Sequence, residues 1–283
     1  MEIFFSIVLP TYNRPAILVD MIKCVQLQSF ENWELVIVDD SSTSQENLIK
    51  DINDSRLQYY NRGKKLGVSS ARNEGAKLAK GKYVIFLDDD DKVTDSWLQD
   101  FATLAIVNEY PEVLYCGMEV IDALKKSNRR YYPSKELWQL VIPGGWVINT
   151  SLFLSLCGYD ERLSYGENTE LFFRIRAIHP RQALTDSINF IYYPSVDGGS
   201  KNIKNKIDST LIILDKHRDY LDKNVRKLFI QMVGVCYLRL HRFKEARECL
   251  TKAYLIDPYN IKTLIRLMIS FSPFISKIIY RPA

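Results

Sequence analysis

The chain predicts an α/β fold, with a mostly parallel sheet flanked by helices and a small all-helical region behind it. Three observations carry that prediction. Short apolar runs rich in strand formers recur through residues 1–100, separated by segments of helical period. Two of those runs end in acidic clusters, Asp39-Asp40 and Asp88-Asp89-Asp90-Asp91. From about Asp208 onward only helical periodicity remains.

Each element has a local reason. Phe4 to Leu9 is an apolar strand, broken by Thr11-Tyr12-Asn13-Arg14-Pro15. Pro15 suits the first turn of a helix with Asn13 as cap, and Ile17, Leu18, Met21, Ile22 and Val25 then recur at helical spacing. Glu34 to Val38 is a second buried strand, followed by a polar helix around Gln45 to Lys50 and a short strand at Leu57 to Tyr60. Ser69 to Ala79 is a helix closed by Lys80-Gly81, and Tyr83 to Leu87 is the strand that carries the four acids. Strands alternating with helices make parallel βαβ units, and right-handed crossovers bring both acidic clusters to one sheet edge.

The middle third continues with a strand at Val113 to Cys116, extended by Glu119 to Asp122, and a basic hairpin tip at Lys125 to Arg130. Gly144-Gly145-Trp146 opens a segment that reads as a helix start running into Leu152-Phe153-Leu154. Gly158 to Arg162 is a turn, and Glu170 to Arg176 a helix with an apolar face. The expected domains are residues 1–207 and 208–283. Within the second, residues 227–260 fit one tetratricopeptide-like unit, with Gly234, Tyr237, Ala246, Leu250, Ala253 and Pro258 at its key positions. A single such unit cannot bury its face alone.

Composition narrows the function classes. The 283 residues are 47% hydrophobic, so a real core can form. The net charge of +4 is too weak and dispersed for nucleic acid, but it suits an anionic small molecule or membrane surface. The five cysteines are widely spaced without a CxxC, which implies reduced thiols in a cytosolic compartment. The three histidines are scattered and argue against a His-based zinc site. The amino terminus lacks a basic leader and a cleavage site, and reads as a first strand. The apolar segment Leu264 to Tyr280 carries Arg266 and Lys277, with Arg281 beyond, and is broken by Pro273. It reads as a core helix, a dimer contact or an interfacial membrane helix, and peripheral association with the inner face of a membrane is expected.

The acids behind Leu87 need a positive partner, because adjacent like charges repel and resist burial. A divalent cation is the economical candidate, since Mg²⁺ or Mn²⁺ takes hard oxygen ligands and shares them with phosphates. A solvated acidic loop is the alternative, disfavoured by its position at the carboxyl end of a buried strand.

Ser6-Ile7-Val8-Leu9-Pro10-Thr11-Tyr12-Asn13-Arg14, Val36 to Ser42, Gly67 to Gly75 and Phe86 to Asp91, in that order, resemble family 2 glycosyltransferases of the GT-A fold over roughly residues 3–200. The resemblance implies a Rossmann-like nucleotide-binding half. It also implies transfer of a sugar, with inversion, from a nucleoside diphosphate donor to a hydroxyl acceptor. A UDP-sugar would be the donor and a glycan or lipid-linked molecule the acceptor, in polysaccharide or glycoconjugate synthesis, with Mn²⁺ or Mg²⁺ as cofactor. By the same resemblance Thr11, Tyr12, Asp39, Asp40, Arg72, Asp88 and Asp89 meet the nucleotide. Asp90 is the direct metal ligand, with Asp88 beside it. Each has a structural alternative: a turn for Thr11 and Tyr12, a helix cap for Asp39 and Asp40, a surface ion pair for Arg72. Asp91 is expected to cap the following helix.

Inversion requires a base on the far face of the sugar. Relatives place it as the Asp of a Glu-Asp pair after a Gly-Tyr/Phe-Asp-Glu turn. The turn is here at Gly158-Tyr159-Asp160-Glu161, but the pair reads Glu167-Asn168, and an amide cannot serve as base. Glu167, then Glu170, is the candidate replacement. Asn168 also leaves open a donor-binding protein that has lost catalysis and acts through its helical tail. A His that relatives often carry after the last strand is missing, leaving Ser200 or Lys201 to close over the donor. Trp146 is either a sugar-stacking ring or a buried aromatic. A phosphatase reading fails at Lys92, and a nucleotidyltransferase reading fails for want of a glycine-rich loop after the first strand.

Overall fold

The computed structural model describes residues 2–122, 124, 126–133, 141–194 and 201–280. Its contacts divide the chain into two compact units, one of residues 1–161 and 167–195, the other of residues 162–166 and 196–283.

Among the described residues, the first unit is built on a nine-stranded sheet. Strands β1 (Phe5–Thr11), β2 (Trp33–Asp39), β3 (Leu57–Asn61) and β4 (Tyr83–Phe86) run parallel in the order β3-β2-β1-β4. Helices α1 (Pro15–Gln26), α2 (Glu46–Ile52) and α3 (Val68–Leu78) make the crossovers. The sheet then turns mixed. β8 (Trp146–Asn149) lies antiparallel between β4 and β6 (Val113–Asp122), and β9 (Gln182–Tyr192) pairs parallel with β6. β5 (Lys92–Val93) closes one edge against β9, and β7 (Ser127–Tyr131) forms a hairpin with β6. Of the basic hairpin tip, Lys125 lies outside the described residues.

Strand period explains the two cores. Successive side chains point to opposite faces, so Phe5, Ile7 and Leu9 of β1 join Trp33, Leu35 and Ile37 of β2 on one side. Val8, Val36 and Val38 face the other. The first face is covered by α1 and α4 (Trp97–Val107) through Leu18, Ile22, Trp97 and Phe101. The second is covered by α3, α5 (Thr150–Ser155) and α6 (Glu167–Ala177) through Ala71, Phe153 and Leu171. Gly75 lets α3 lie on the sheet, since a Cβ there would stand 2.4 Å from Val8 Cγ1.

Two expectations need correction here. Gly144-Gly145-Trp146 leads into a strand, and the helix begins only at Thr150. Trp146 is a core residue, 4% exposed and tilted against Phe86, so it cannot offer a face to a sugar.

The second unit holds helices α7 (Ile203–Lys216), α8 (Lys223–Arg239), α9 (Phe243–Ile256), α10 (Ile261–Ser270) and α11 (Pro273–Ile279). The helical stretch thus starts upstream of Asp208. Gly234 permits the close approach of α8 to α9, because a Cβ there would meet Leu250 Cγ at 2.8 Å. Asp222 and Asn260 cap α8 and α10 through their side chains. No described helix is long and apolar enough to cross a membrane.

Candidate active site

The parallel half brings the carboxyl ends of β1, β2 and β4 to one edge, so Thr11, Asp39 and Asp88 to Asp91 share it. Thr11 ends β1 and its hydroxyl donates to Asp89 at 2.8 Å. Arg14 reaches across from the start of α1, its Nη1 lying 2.8 Å from Asp89 and 3.1 Å from Asp90. Burial pushes the Asp89 carboxyl up, opposed by Thr11 and Arg14. Tyr12 is exposed at the rim, with the Lys65 ammonium 4.5 Å from its ring centre.

Asp39 and Asp40 sit where expected but are already engaged. The Asp39 oxygens accept from Ser41 and, at 2.7 Å, from the Tyr59 hydroxyl. Asp40 is ion-paired with Arg62 and accepts the backbone N–H groups of Leu66 and Gly67 at 2.9 and 2.8 Å. Both carboxylates are buried. They fasten the loop 62–67 and the end of β2 in place.

Arg72 is the centre of the site. It is 2% exposed, yet its guanidinium donates to Asp88 at 2.5 Å and to Glu167 at 3.3 Å. Burial opposes its charge, but the fields of Asp88, Tyr159 and Glu167 outweigh that and raise its pKa. A buried cation between two carboxylates satisfies the rule that buried charges are paired. It also joins the β4 acids to the start of α6.

The turn 158–161 is latched to α3 by Asn73. Its Nδ2 donates to the Tyr159 carbonyl and to Glu161, both at 2.9 Å, while its Oδ1 accepts from Tyr159 N at 2.7 Å. Gly158 is required there twice over: its φ is +63°, and a Cβ would clash with Asn73 Oδ1 at 2.3 Å. Beyond the turn, α6 opens with Glu167 and Asn168. Asn168 accepts from the Tyr159 hydroxyl at 3.0 Å and donates to Glu167 at 3.4 Å. Glu167 keeps 16% side-chain exposure. Glu170 is wholly buried and forked to Arg174, which also donates to the carbonyls of Leu156 and Gly158. That pair holds the turn against α6 and does not present Glu170 to a substrate.

Asp91 does not cap a helix. The residues after it form β5, and Asp91 accepts from Tyr193 N at 3.3 Å. Its second oxygen is buried, with no hydrogen-bond partner among the described residues. Burial, together with Asp88 and Asp90, pushes its carboxyl up to about 9. Ser200 lies outside the described residues, and Lys201 is exposed. The sequence marks no role for Arg14, Arg62, Asn73 or Arg174: Arg14 and Asn73 stand inside motifs but meet partners 75 and 86 residues away, Arg62 meets Asp40 across 22, and Arg174 pairs with Glu170 on the same helix.

One buried arginine thus bridges the acidic end of the β4 strand and the carboxylate that opens α6, on a sheet edge of nucleotide-binding type. The chain belongs to glycosyl transferase family 2, whose family model matches residues 6–149. It is 27% identical over 238 residues to the putative colanic acid biosynthesis glycosyl transferase WcaA of Escherichia coli (strain K12), covering 78% of this chain and 84% of the relative. It is 34% identical over 108 residues to the amylovoran biosynthesis glycosyltransferase AmsB of Erwinia amylovora, 36% of each chain. Several further relatives match over a third or less of their own length, the GalNAc(5)-diNAcBac-PP-undecaprenol beta-1,3-glucosyltransferase of Campylobacter jejuni over 30%. In fold, the chain superposes on S. aureus TarS 1–349 in complex with UDP-GlcNAc at a TM-score of 0.68 and 19% identity, covering 96% of this chain and 88% of that one. It superposes on the mannosyltransferase PcManGT of Pyrobaculum calidifontis in complex with GDP-Man and Mn²⁺ at 0.60 and 12% identity, covering 97% and 86%.

Proposed function

We propose that this glycosyltransferase moves a sugar from a UDP-sugar to a hydroxyl of a glycan or lipid-linked acceptor, with inversion, in the synthesis of a polysaccharide or glycoconjugate. The observation that carries the reading is the Asp88–Arg72–Glu167 bridge, which ties the acids of the donor edge to the partly exposed carboxylate at the start of α6. The WcaA and AmsB names support the polysaccharide class, and the UDP-GlcNAc complex of a fold neighbour supports the donor class.

Thr11 and Tyr12 form the wall for the base. Asp39 and Asp40 keep the nucleotide pocket in shape through Tyr59 and the loop 62–67, and Arg72, Asp88 and Asp89 line the diphosphate side. The donor set fits a hard divalent cation. Asp90 and Asp88 retain 39% and 31% side-chain exposure, and behind them Asp91 has an unpartnered buried oxygen in their combined field. Among the described residues no three such side chains gather into a complete cage. A cation held by Asp90 and Asp88 would therefore take its remaining ligands from diphosphate and water. When bound, Mn²⁺ or Mg²⁺ supplies charge neutralisation at the departing diphosphate.

Glu167 takes the proton of the acceptor hydroxyl as that oxygen attacks the anomeric carbon. Asn168 and Arg72 orient the Glu167 carboxylate, and Tyr159 in turn fixes Asn168. This is how a chain with an amide at the usual base position keeps its chemistry.

A thermal-shift screen of nucleoside diphosphates and their sugars, with and without Mn²⁺, tests the donor assignment. Stabilisation by a UDP-sugar that depends on Mn²⁺ is expected. Equal response to all nucleotides, or none, would overturn it.

A further inference from the structure

Helices α10 and α11 are inside out. In a water-facing helix the apolar stripe packs inward and polar residues face solvent. Here Thr263, Ser270 and Ser276 are wholly buried, the first accepting from Gln231 at 3.1 Å. The exposed side carries Ile261, Ile265, Met268, Phe271, Phe274 and Ile278, with Ile261 70% and Phe274 77% exposed. At about 100° per residue, Ile261, Ile265 and Met268 lie on one line of α10, with Thr263 and Ser270 opposite. An apolar face of this size is not left to water without a function.

Charge says what covers it. Lys262, Arg266 and Lys277 are the only charged residues from Ile261 to Tyr280, and no carboxylate is among them. Lys262 and Arg266 stand a turn apart on one side of α10, about 90° and 130° round from the apolar line, and their long basic side chains can reach lipid headgroups. A second copy of this chain fits less well. A two-fold contact would set the patch against its own image, cation facing cation. The helices are too short to span a bilayer, so they can only lie along one.

We infer that the α10–α11 face binds an anionic phospholipid surface, seating the enzyme peripherally with the apolar line in the headgroup boundary. The inference is independent of the catalytic reading.

Flotation of the full chain with phosphatidylcholine vesicles, with and without phosphatidylglycerol, tests it. Binding to the mixed vesicles, weakened by salt, is expected. The combined Lys262→Glu, Arg266→Glu and Lys277→Glu variant should lose on the order of a hundred-fold in partitioning, at about five-fold per cation. Met268→Ser with Phe274→Ser should lose more than about ten-fold. Both positions are exposed, so far-UV circular dichroism and Tm should stay unchanged and show that the variants are folded. No flotation, or flotation indifferent to both variants, overturns the proposal. So does self-association by ultracentrifugation that Phe274→Ser abolishes in a protein that ignores vesicles; that result gives the face to a second copy.

Discussion

The edge of the parallel sheet and the last two helices solve opposite problems. At the edge, charged groups are taken out of water: Arg72 is 2% exposed, and Asp39, Asp40 and Glu170 are buried, each with a partner of opposite charge or a hydrogen-bond donor. In α10 and α11 most of the large apolar groups are left out, Leu267 apart, and polar Thr263, Ser270 and Ser276 are taken in. Stability arguments alone explain neither. Buried ion pairs seldom stabilise a fold beyond what apolar packing would, and exposed isoleucines forgo burial worth about 2 kcal/mol each. On our reading the Arg72 pairings serve the proposed donor site, and the exposed apolar side chains of α10 and α11 serve the proposed lipid contact.

That contrast can be broken from either end. The largest effect belongs to Asp90→Asn. Its side chain is 39% exposed and ion-paired to Arg14, so the fold should survive while metal-dependent transfer falls on the order of a thousand-fold. Transfer kinetics over a Mn²⁺ titration measure it. Next comes Glu170→Ala, which leaves the Arg174 guanidinium without its carboxylate and should lower unfolding free energy by about 3 kcal/mol in denaturant titration. Gly75→Ala should cost about 1–3 kcal/mol, because the new methyl meets Val8 and lifts α3 from the sheet. Smallest is Phe274→Ser, expected within about 0.5 kcal/mol of the parent in the same titration. A large loss there would mean that the ring packs in the fold, and the inside-out reading of α11 would fail.

The legible parts were those with strong period or motif. The four parallel strands and α1 to α3 lay within a few residues of expectation because their apolar runs are long and separated by turn residues. β8 was missed because four residues between a glycine pair and a helix carry too little alternation to be told from a helix start. Asp91 was misassigned because β5 is only two residues long and exists by pairing with β9, far along the chain. The acids were legible from their place after strands, and Glu167 only through the resemblance to relatives that carry a Glu-Asp pair there. Their pairings were not: Arg72 stood among the expected nucleotide-binding residues, but its contact with Glu167 spans 95 residues and that of Arg14 with Asp89 spans 75, so nothing local marks either pair. Glu170 and Glu167 look alike in sequence, and burial alone separates them.

The base assignment is the claim on which the catalytic account rests. Its most direct test is turnover of Glu167→Gln beside Asn168→Ala, each with donor binding followed by thermal shift. The account predicts that Glu167→Gln keeps the donor shift but loses about 10²–10⁴-fold in kcat, whereas Asn168→Ala loses only a few-fold. Turnover of Glu167→Gln within a few-fold of the parent would contradict it.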